Sequence, residues 1–375
     1  MTHVPRSLSL ESKVPEGPDR YQFSTVDGLH SSDSFREPEL LLLETLWERS
    51  LGDMLVVQGN YGVIPSVLGA TATTITMTET SARAARLAEK NIDRNGASAD
   101  VSLVVSPADI DATFDTVCYA PKPYTPLEVG KQNIIDALSC LRDGGRIYVA
   151  GDRSAGIERY ETCLNEHAPR VRTVRQEGGC RVVEATRPGE VDAPEFVTSR
   201  TITSRVDGVD LTMVTEAGLF STGKLDDGTR LLLETATVED GETVLDLACG
   251  YGPVGTYAAV TADADVILTD ENLRATNCAE ATLDSVGVDG RVVTADCLRG
   301  VEDTVDRILC NPPTHAGSGV LSDLFAGAQR VLAAGGTLWA VHHRSLDLDE
   351  YLEQAGRIVG RETGPEHTVV SVRSE

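Results

Sequence analysis

The sequence predicts two doubly wound α/β domains in tandem, the second with a mostly parallel seven-stranded sheet and the first a degenerate copy of it. Three observations carry that reading: an internal repeat, an alternation of short apolar runs with helical stretches, and a glycine-rich turn directly after one apolar run. Leu41-Leu42-Leu43-Glu44-Thr45 recurs as Leu231-Leu232-Leu233-Glu234-Thr235, and the stretch from Leu55 overlays the stretch from Leu245 at the same spacing of 190 residues. Ala84, Ala88, Glu89 and Gly96 match Ala275, Ala279, Glu280 and Gly287 at 191, as Leu141-Arg142-Asp143-Gly144-Gly145 matches Leu332-Ala333-Ala334-Gly335-Gly336. A spacing held with one slip over about a hundred residues marks a duplication.

In the second copy the apolar runs predict strands at Thr243–Leu247, Asp265–Thr269, Arg291–Thr294, Asp306–Cys310, Thr337–His342, Arg357–Arg361 and Thr368–Arg373, with helices between them. Gly335-Gly336 reads as the stop of a helix over Leu324–Leu332. Residues 1–20 read as a loose arm, 21–187 as the first domain, 188–200 as a Pro- and Gly-containing linker and 201–375 as the second domain.

With 375 residues, 41% of them hydrophobic, the chain has material for two cores. It has no apolar run of about 18 residues, and its start lacks the basic and apolar regions of a signal peptide, so a cytoplasmic protein that does not enter a membrane is expected. Eight cysteines, none in a CxxC pair, predict buried free thiols and no metal site. A monomer is expected. The net charge of −25 argues at first against nucleic acid, since phosphate attraction needs clustered Lys and Arg. However, the acidic residues are dispersed and only five of 33 basic residues are Lys, the pattern of a halophilic acidic surface suited to high salt, where the Debye length is about 3 Å. Acidity therefore leaves RNA open as a partner.

The chemistry concentrates at the ends of four strands. VLDLACGYGPVG runs from a strand through a turn into a helix, and places Ala248, Cys249, Gly250 and Gly252 where backbone approaches a ligand closely. Asp246 can accept from amide groups or, through water, from a cationic amine, or can cap the helix. Asp270, with Glu271 as the adjacent alternative, ends the next strand and suits two ribose hydroxyls. Asp296, with the Cys297 amide beside it, ends the third and suits an adenine amino group. Together these describe an adenosine-shaped crevice at the carboxyl edge of a sheet. The fourth strand ends in Asn311-Pro312-Pro313-Thr314-His315. Two prolines make an extended bend, so that the Asn311 side-chain oxygen and the Pro312 carbonyl can both accept from one NH2 group and align its lone pair.

With those residues in place, the second half resembles Rossmann-like class I S-adenosylmethionine-dependent methyltransferases carrying an Asn-Pro-Pro-aromatic motif. The whole chain resembles the duplicated ribosomal RNA guanine-N2 methyltransferases, in which a degenerate copy precedes an active one. The shared features include Gly218-Leu219-Phe220-Ser221 and Leu225-Asp226-Asp227-Gly228-Thr229 ahead of the glycine turn, and His315 one residue beyond Asn311-Pro312-Pro313-Thr314. The resemblance implies S-adenosylmethionine as cofactor and ribosomal RNA or a ribosomal subunit as partner. It implies Asn311, Pro312, Pro313 and His315 as the catalytic set, with Asn311 also facing the cofactor. Where the family has Phe this chain has Thr314, so either His315, Phe220 or Tyr251 supplies a ring to stack on the target base, or the base is not guanine. Protein glutamine-N5 or adenine-N6 methylation, and a catalytically silent RNA-binding or ribosome-assembly factor, are the alternatives. In the first copy Val56 replaces Asp246 and Ala120-Pro121-Lys122 replaces Asn311-Pro312-Pro313, so it is expected to dock substrate or to serve structure alone.

Overall fold

The computed structural model describes residues 6–15, 17–191 and 193–375, and the chain divides into two compact units between Thr198 and Ser199. The first opens with β1 (Arg6–Glu11) and β2 (Arg20–Thr25), then α1 (Glu37–Leu46), β3 (Asp53–Val57), α2 (Val63–Leu68), β4 (Thr74–Glu79) and α3 (Ala82–Arg94). It continues with β5 (Asp100–Leu103), β6 (Phe114–Tyr119), α4 (Leu127–Ser139), β7 (Leu141–Gly151), α5 (Ile157–His167), β8 (Val171–Glu177) and β9 (Cys180–Thr186). The second repeats the series as β10 (Arg200–Val206), β11 (Val209–Thr215), α6 (Asp227–Thr235), β12 (Thr243–Leu247), α7 (Pro253–Thr261), β13 (Asp265–Asp270) and α8 (Leu273–Val286). β14 (Arg291–Thr294), β15 (Val305–Cys310), α9 (Ser318–Val331), β16 (Leu332–His343), α10 (Asp349–Leu352), β17 (Arg357–Thr363) and β18 (His367–Arg373) complete it.

Each unit holds one seven-stranded sheet, ordered β5-β4-β3-β6-β7-β9-β8 and β14-β13-β12-β15-β16-β18-β17. The first five strands in each order pair in parallel, and the strand sixth in the order is antiparallel to both neighbours. Parallel strands need helical crossovers, and these cover both faces. In the second unit Leu245, Leu247 and Cys310 join one apolar cluster with α9, while Val244 and Leu309 join the other with α6 and α7. The chain order reverses between β12 and β15, and the crevice of a doubly wound sheet opens at the carboxyl ends of strands at such a point. No helix among the described residues is long and apolar enough to cross a membrane, and no described group of three His, Cys, Asp or Glu is placed to hold a metal. Seven of the eight free cysteines are buried and Cys297 is half-buried.

Three expectations need correction. The arm is not loose: Arg6–Glu11 pairs antiparallel with Arg20–Thr25, while residues 1–5 and 16 lie outside the described set. The hairpin is docked by Asn91 of α3, whose Oδ1 accepts from Ser24 N–H (2.8 Å) and whose Nδ2 donates to the Ser24 and Tyr61 carbonyls (3.0 and 2.9 Å). The carboxamide thus stands in for a strand edge. Thr282 of α8 does the same for β11, accepting from Val214 N–H at 2.9 Å and donating to its carbonyl at 3.3 Å. Second, the segment expected as a linker is tied to α4 over part of its length. Gln132 Oε1 accepts from Phe196 N–H (2.7 Å), Phe196 packs on the core behind it, and residue 192 is outside the described set. Third, Gly335-Gly336 stops no helix. α9 ends at Val331, and the glycines lie inside β16, where its pairing with β15 shifts register and Gly335 takes φ +77°.

Asn91→Ala leaves two backbone carbonyls and an N–H of the first unit without their partner. An unfolding free energy lower by about 1–3 kcal/mol is expected for that unit, read from its urea transition.

Candidate active site

The glycine turn after β12 is a run of left-handed residues, Ala248 at φ +61°, Gly250 at +56° and Gly252 at +80°. The first copy builds the same shape from Gln58, Asn60 and Gly62 at +50°, +53° and +85°. Backbone conformation alone therefore does not demand glycine at 250, since Asn tolerates that region. What distinguishes Gly250 is space: a Cβ there meets nothing within 4 Å. Gly252 and Gly255 answer to packing instead, because a Cβ at either lies within 2.7–2.9 Å of Leu268. Cys249 is likewise inward, donating its N–H to the Thr269 carbonyl (2.9 Å), and burial pushes its thiol well above the ordinary range. The turn residues that sequence grouped together thus divide into Ala248 and Gly250, half-buried at the crevice, and Cys249 and Gly252, committed to the interior.

Asp246 is buried in β12 and its Oδ2 accepts from Gly255 N–H (2.8 Å), satisfying an otherwise unpaired donor at the start of α7. Burial pushes its carboxyl up to about 7, with the nearby Asp270 adding to the rise and the Gly255 and Val254 N–H groups opposing it. Asp270 ends β13 half-buried, with Oδ2 accepting from Gly250 N–H (3.0 Å) and Oδ1 from Asn272 N–H (2.9 Å). The Glu271 N–H also bonds this carboxylate, so three backbone donors hold it. Glu271 follows, half-buried. Asp296, beyond β14, is buried with Oδ2 3.4 Å from Arg299 Nε, and Cys297 takes φ +53°, a left-handed conformation that Ser106, its counterpart at −120°, does not share.

Beyond β15, Asn311 is half-buried on the α6 side of the sheet. Its Nδ2 donates to Thr229 Oγ1 (2.9 Å) and Asp226 Oδ2 (3.2 Å), and Asp226 caps α6 by accepting from Thr229 N–H (2.9 Å). A carboxylate only accepts, so the NH2 end of the carboxamide must face Asp226 and the Oδ1 end must face away from it. Sequence reasoning assigned Asn311 the acceptor role but missed this clamp. The signal was present as an Asp-x-x-Thr helix start. Thr314 N–H donates to the Pro312 carbonyl (2.8 Å), leaving that oxygen one lone pair, and Ala316 N–H donates to Pro313 (2.9 Å). His315 is exposed. Of the other rings considered, Phe220 is 64% exposed, whereas Tyr251 is buried, its hydroxyl near the Ser221 and Lys224 carbonyls at 3.4 and 3.5 Å.

The first copy fills each of these places. Glu79 stands where Asp270 does and accepts from Asn60 N–H (2.8 Å), but Lys122, in the place of Pro313, donates to the same carboxylate at 2.9 Å. Arg36, in the place of Asp226, donates to the Pro121 carbonyl (2.7 Å) and pairs with Glu39 (3.3 Å), which replaces Thr229. All four charged side chains are buried. Two cations and two anions are thus buried where the second copy has Asp226, Thr229, Asp270 and Pro313, and the Asn60 side chain donates to the His30 carbonyl (2.9 Å).

Known proteins share this fold. The Methyltransferase small domain family matches residues 20–184 and again 210–361. The chain belongs to that family. It is 31% identical over 266 residues, 69% of its own length and 75% of the relative's, to ribosomal RNA small subunit methyltransferase C of Escherichia coli. With the protein of the same name from Hahella chejuensis it shares 30% over 250 residues, covering 65% of this chain and 72% of the other. A solved 16S rRNA N2 methyltransferase from Thermus thermophilus, bound to AdoMet and guanosine, superposes with a TM-score of 0.80 over 99% of this chain and 98% of its own, at 24% identity. The two-domain fold is thereby shared along the full length.

Two outcomes follow from the geometry. Because burial raises Asp246 from 3.8 to about 7, its carboxyl contributes most to stability below pH 3.8, and that contribution is lost as pH rises to about 7. Asp246→Asn, which cannot ionise, is therefore expected to cost progressively less relative to wild type between pH 4 and pH 8, read from urea midpoints across the range. Lys122→Ala strands the buried Glu79 charge and is expected to destabilise the first unit by about 3 kcal/mol. Lys122→Met combined with Glu79→Gln removes both charges and is expected to cost less in the same assay.

Proposed function

We propose that the second domain binds S-adenosylmethionine and methylates the exocyclic N2 of a guanine in small-subunit ribosomal RNA, in the cytoplasm. Asn311 carries the reading. Its carboxamide is clamped by Asp226 and Thr229, so that Oδ1 is presented for a substrate NH2 without a search among rotamers. The substrate class is supported by relatives named as ribosomal RNA small subunit methyltransferases.

Cofactor binding falls to the edge formed by Ala248, Gly250, Asp270 with Glu271 beside it, Asp296 and Cys297. The open space at Gly250 fits an adenosine-sized group approaching the backbone, and the half-buried Asp270 carboxylate, held in place by backbone N–H groups, fits a ribose hydroxyl donor. When bound, the cofactor supplies an electrophilic sulfonium methyl group. The chain's own part is orientation. Asn311 Oδ1 and the free lone pair of the Pro312 carbonyl accept hydrogen bonds from the two N–H groups of the target amine, which draws its nitrogen out of conjugation with the ring and aims the lone pair; the single proton that nitrogen loses on methylation passes to solvent. No strong base is required of the protein. Phe220 and His315, both exposed, are the rings available to stack on the target base where Thr314 provides none.

Asn311→Ala is expected to lower methyl transfer to ribosomal RNA by roughly 10²-fold or more while S-adenosylmethionine titrates one site per chain with near wild-type affinity. Loss of cofactor binding together with activity, or transfer at the normal rate, overturns the assignment of Asn311. A chain that shows two equivalent cofactor sites overturns the division of labour between the copies.

A further inference from the structure

We infer that the first domain stacks one unpaired nucleobase of the RNA substrate on the exposed ring of Tyr124, with His30 bracing that ring edge-on. The inference rests on the reading above that the substrate is RNA. Tyr124 is 66% exposed, more than any other large apolar side chain among the described residues. It meets His30 in a T-shaped contact with centroids 5.3 Å apart and planes at 81°, which holds the ring against its loop while most of it stands in solvent. An aromatic held this way exposes a stacking platform at little conformational cost.

The duplication makes the placement meaningful. By the 190 and 191 spacings, His30 occupies the position of Phe220 and Tyr124 that of His315. Both copies therefore place an aromatic residue and a histidine on the same two loops, with the residue types exchanged, and Phe220, at 64%, is nearly as exposed as Tyr124. The same two positions thus carry an exposed ring in each copy. The surrounding groups that would have served methyl transfer are gone, since Ala120 replaces Asn311 and the Glu79–Lys122 pair fills the cofactor volume. The base-receiving mouth has outlasted the chemistry beneath it.

The loops are also held rigid. His30 carbonyl accepts from Asn60 Nδ2, and Tyr61 Oη lies 3.4 and 3.3 Å from the Ser31 and Ser34 carbonyls. Burial, with Arg36 and Lys122 adding repulsion, lowers His30 to about 4, so its ring is neutral at ordinary pH and offers no charge to phosphate. With a net charge of −25 the chain favours base contacts over backbone attraction, which matches a stacking platform better than a phosphate cradle.

The test uses the full chain and a fragment of small-subunit ribosomal RNA at molar salt. Tyr124→Ala is expected to weaken RNA binding and raise KM by about 5- to 100-fold, the range of one lost base stack, with kcat at saturating RNA and S-adenosylmethionine affinity unchanged. Tyr124→Phe, which keeps the ring, is expected to restore binding. Because Tyr124 is exposed, the Ala variant should fold as wild type, and its urea midpoint checks this. With 4-thiouridine-substituted RNA, a photo-adduct on the peptide containing Tyr124 is expected. Wild-type methylation with an unchanged KM for Tyr124→Ala overturns the stacking site alone. A wild-type chain that neither binds nor methylates the RNA overturns it together with the functional reading on which it rests.

Discussion

One hydrogen bond recurs at the centre of both domains, and the crevice is organised around it. The N–H of the turn residue at 250, or at 60 in the first copy, is taken by the carboxylate that ends the neighbouring parallel strand, Asp270 or Glu79. A left-handed turn leaves that N–H pointing across the sheet edge, and a buried donor without a partner costs about 1–3 kcal/mol. The acid is thus a structural requirement in both copies. What else it reaches differs between them. Aspartate is short and takes only neighbouring backbone N–H groups, whereas the longer glutamate also reaches a buried lysine.

The clamp on Asn311 follows the same economy. Asp226 caps α6 through Thr229 N–H and, with the same oxygen, holds the carboxamide of Asn311. A helix start that the fold needs in any case thereby fixes which end of the Asn311 amide faces away from the cap. Its orientation depends on a few directed bonds to rigid elements, one of them to a carboxylate.

Much of this was legible in the chain. The duplication, the strands of the second sheet and the four strand-end positions follow from apolar periodicity and glycine spacing, because those patterns are local and repeat. Three things were not. Residues 6–11 do alternate, Leu8 and Leu10 against Ser7 and Ser9, but the stretch is short, and the hairpin it forms with β2 is docked through Ser24 by Asn91, which is distant in sequence. The turn glycines look equivalent in a row of letters, and only the neighbours of each, Leu268 for Gly252 and open space for Gly250, separate packing from ligand approach. The loss of Asn311 in the first copy was readable, but that Arg36, Glu39, Glu79 and Lys122 converge on the vacated volume was not, since these four charges are scattered over more than eighty residues.

That buried quartet also constrains the history still open to the first domain. Each of its charges is held by another, so changing Lys122 back to proline or Glu79 to aspartate alone strands a partner away from water, at a penalty that is a large part of the 5–15 kcal/mol by which such domains are stable. Opening that interior to a ligand would need several substitutions at once, with the single steps selected against. Partners that settle into a buried network act as a ratchet, and this copy, whose interior is closed by ionic pairs, is held to that closure whatever changes elsewhere in its sequence.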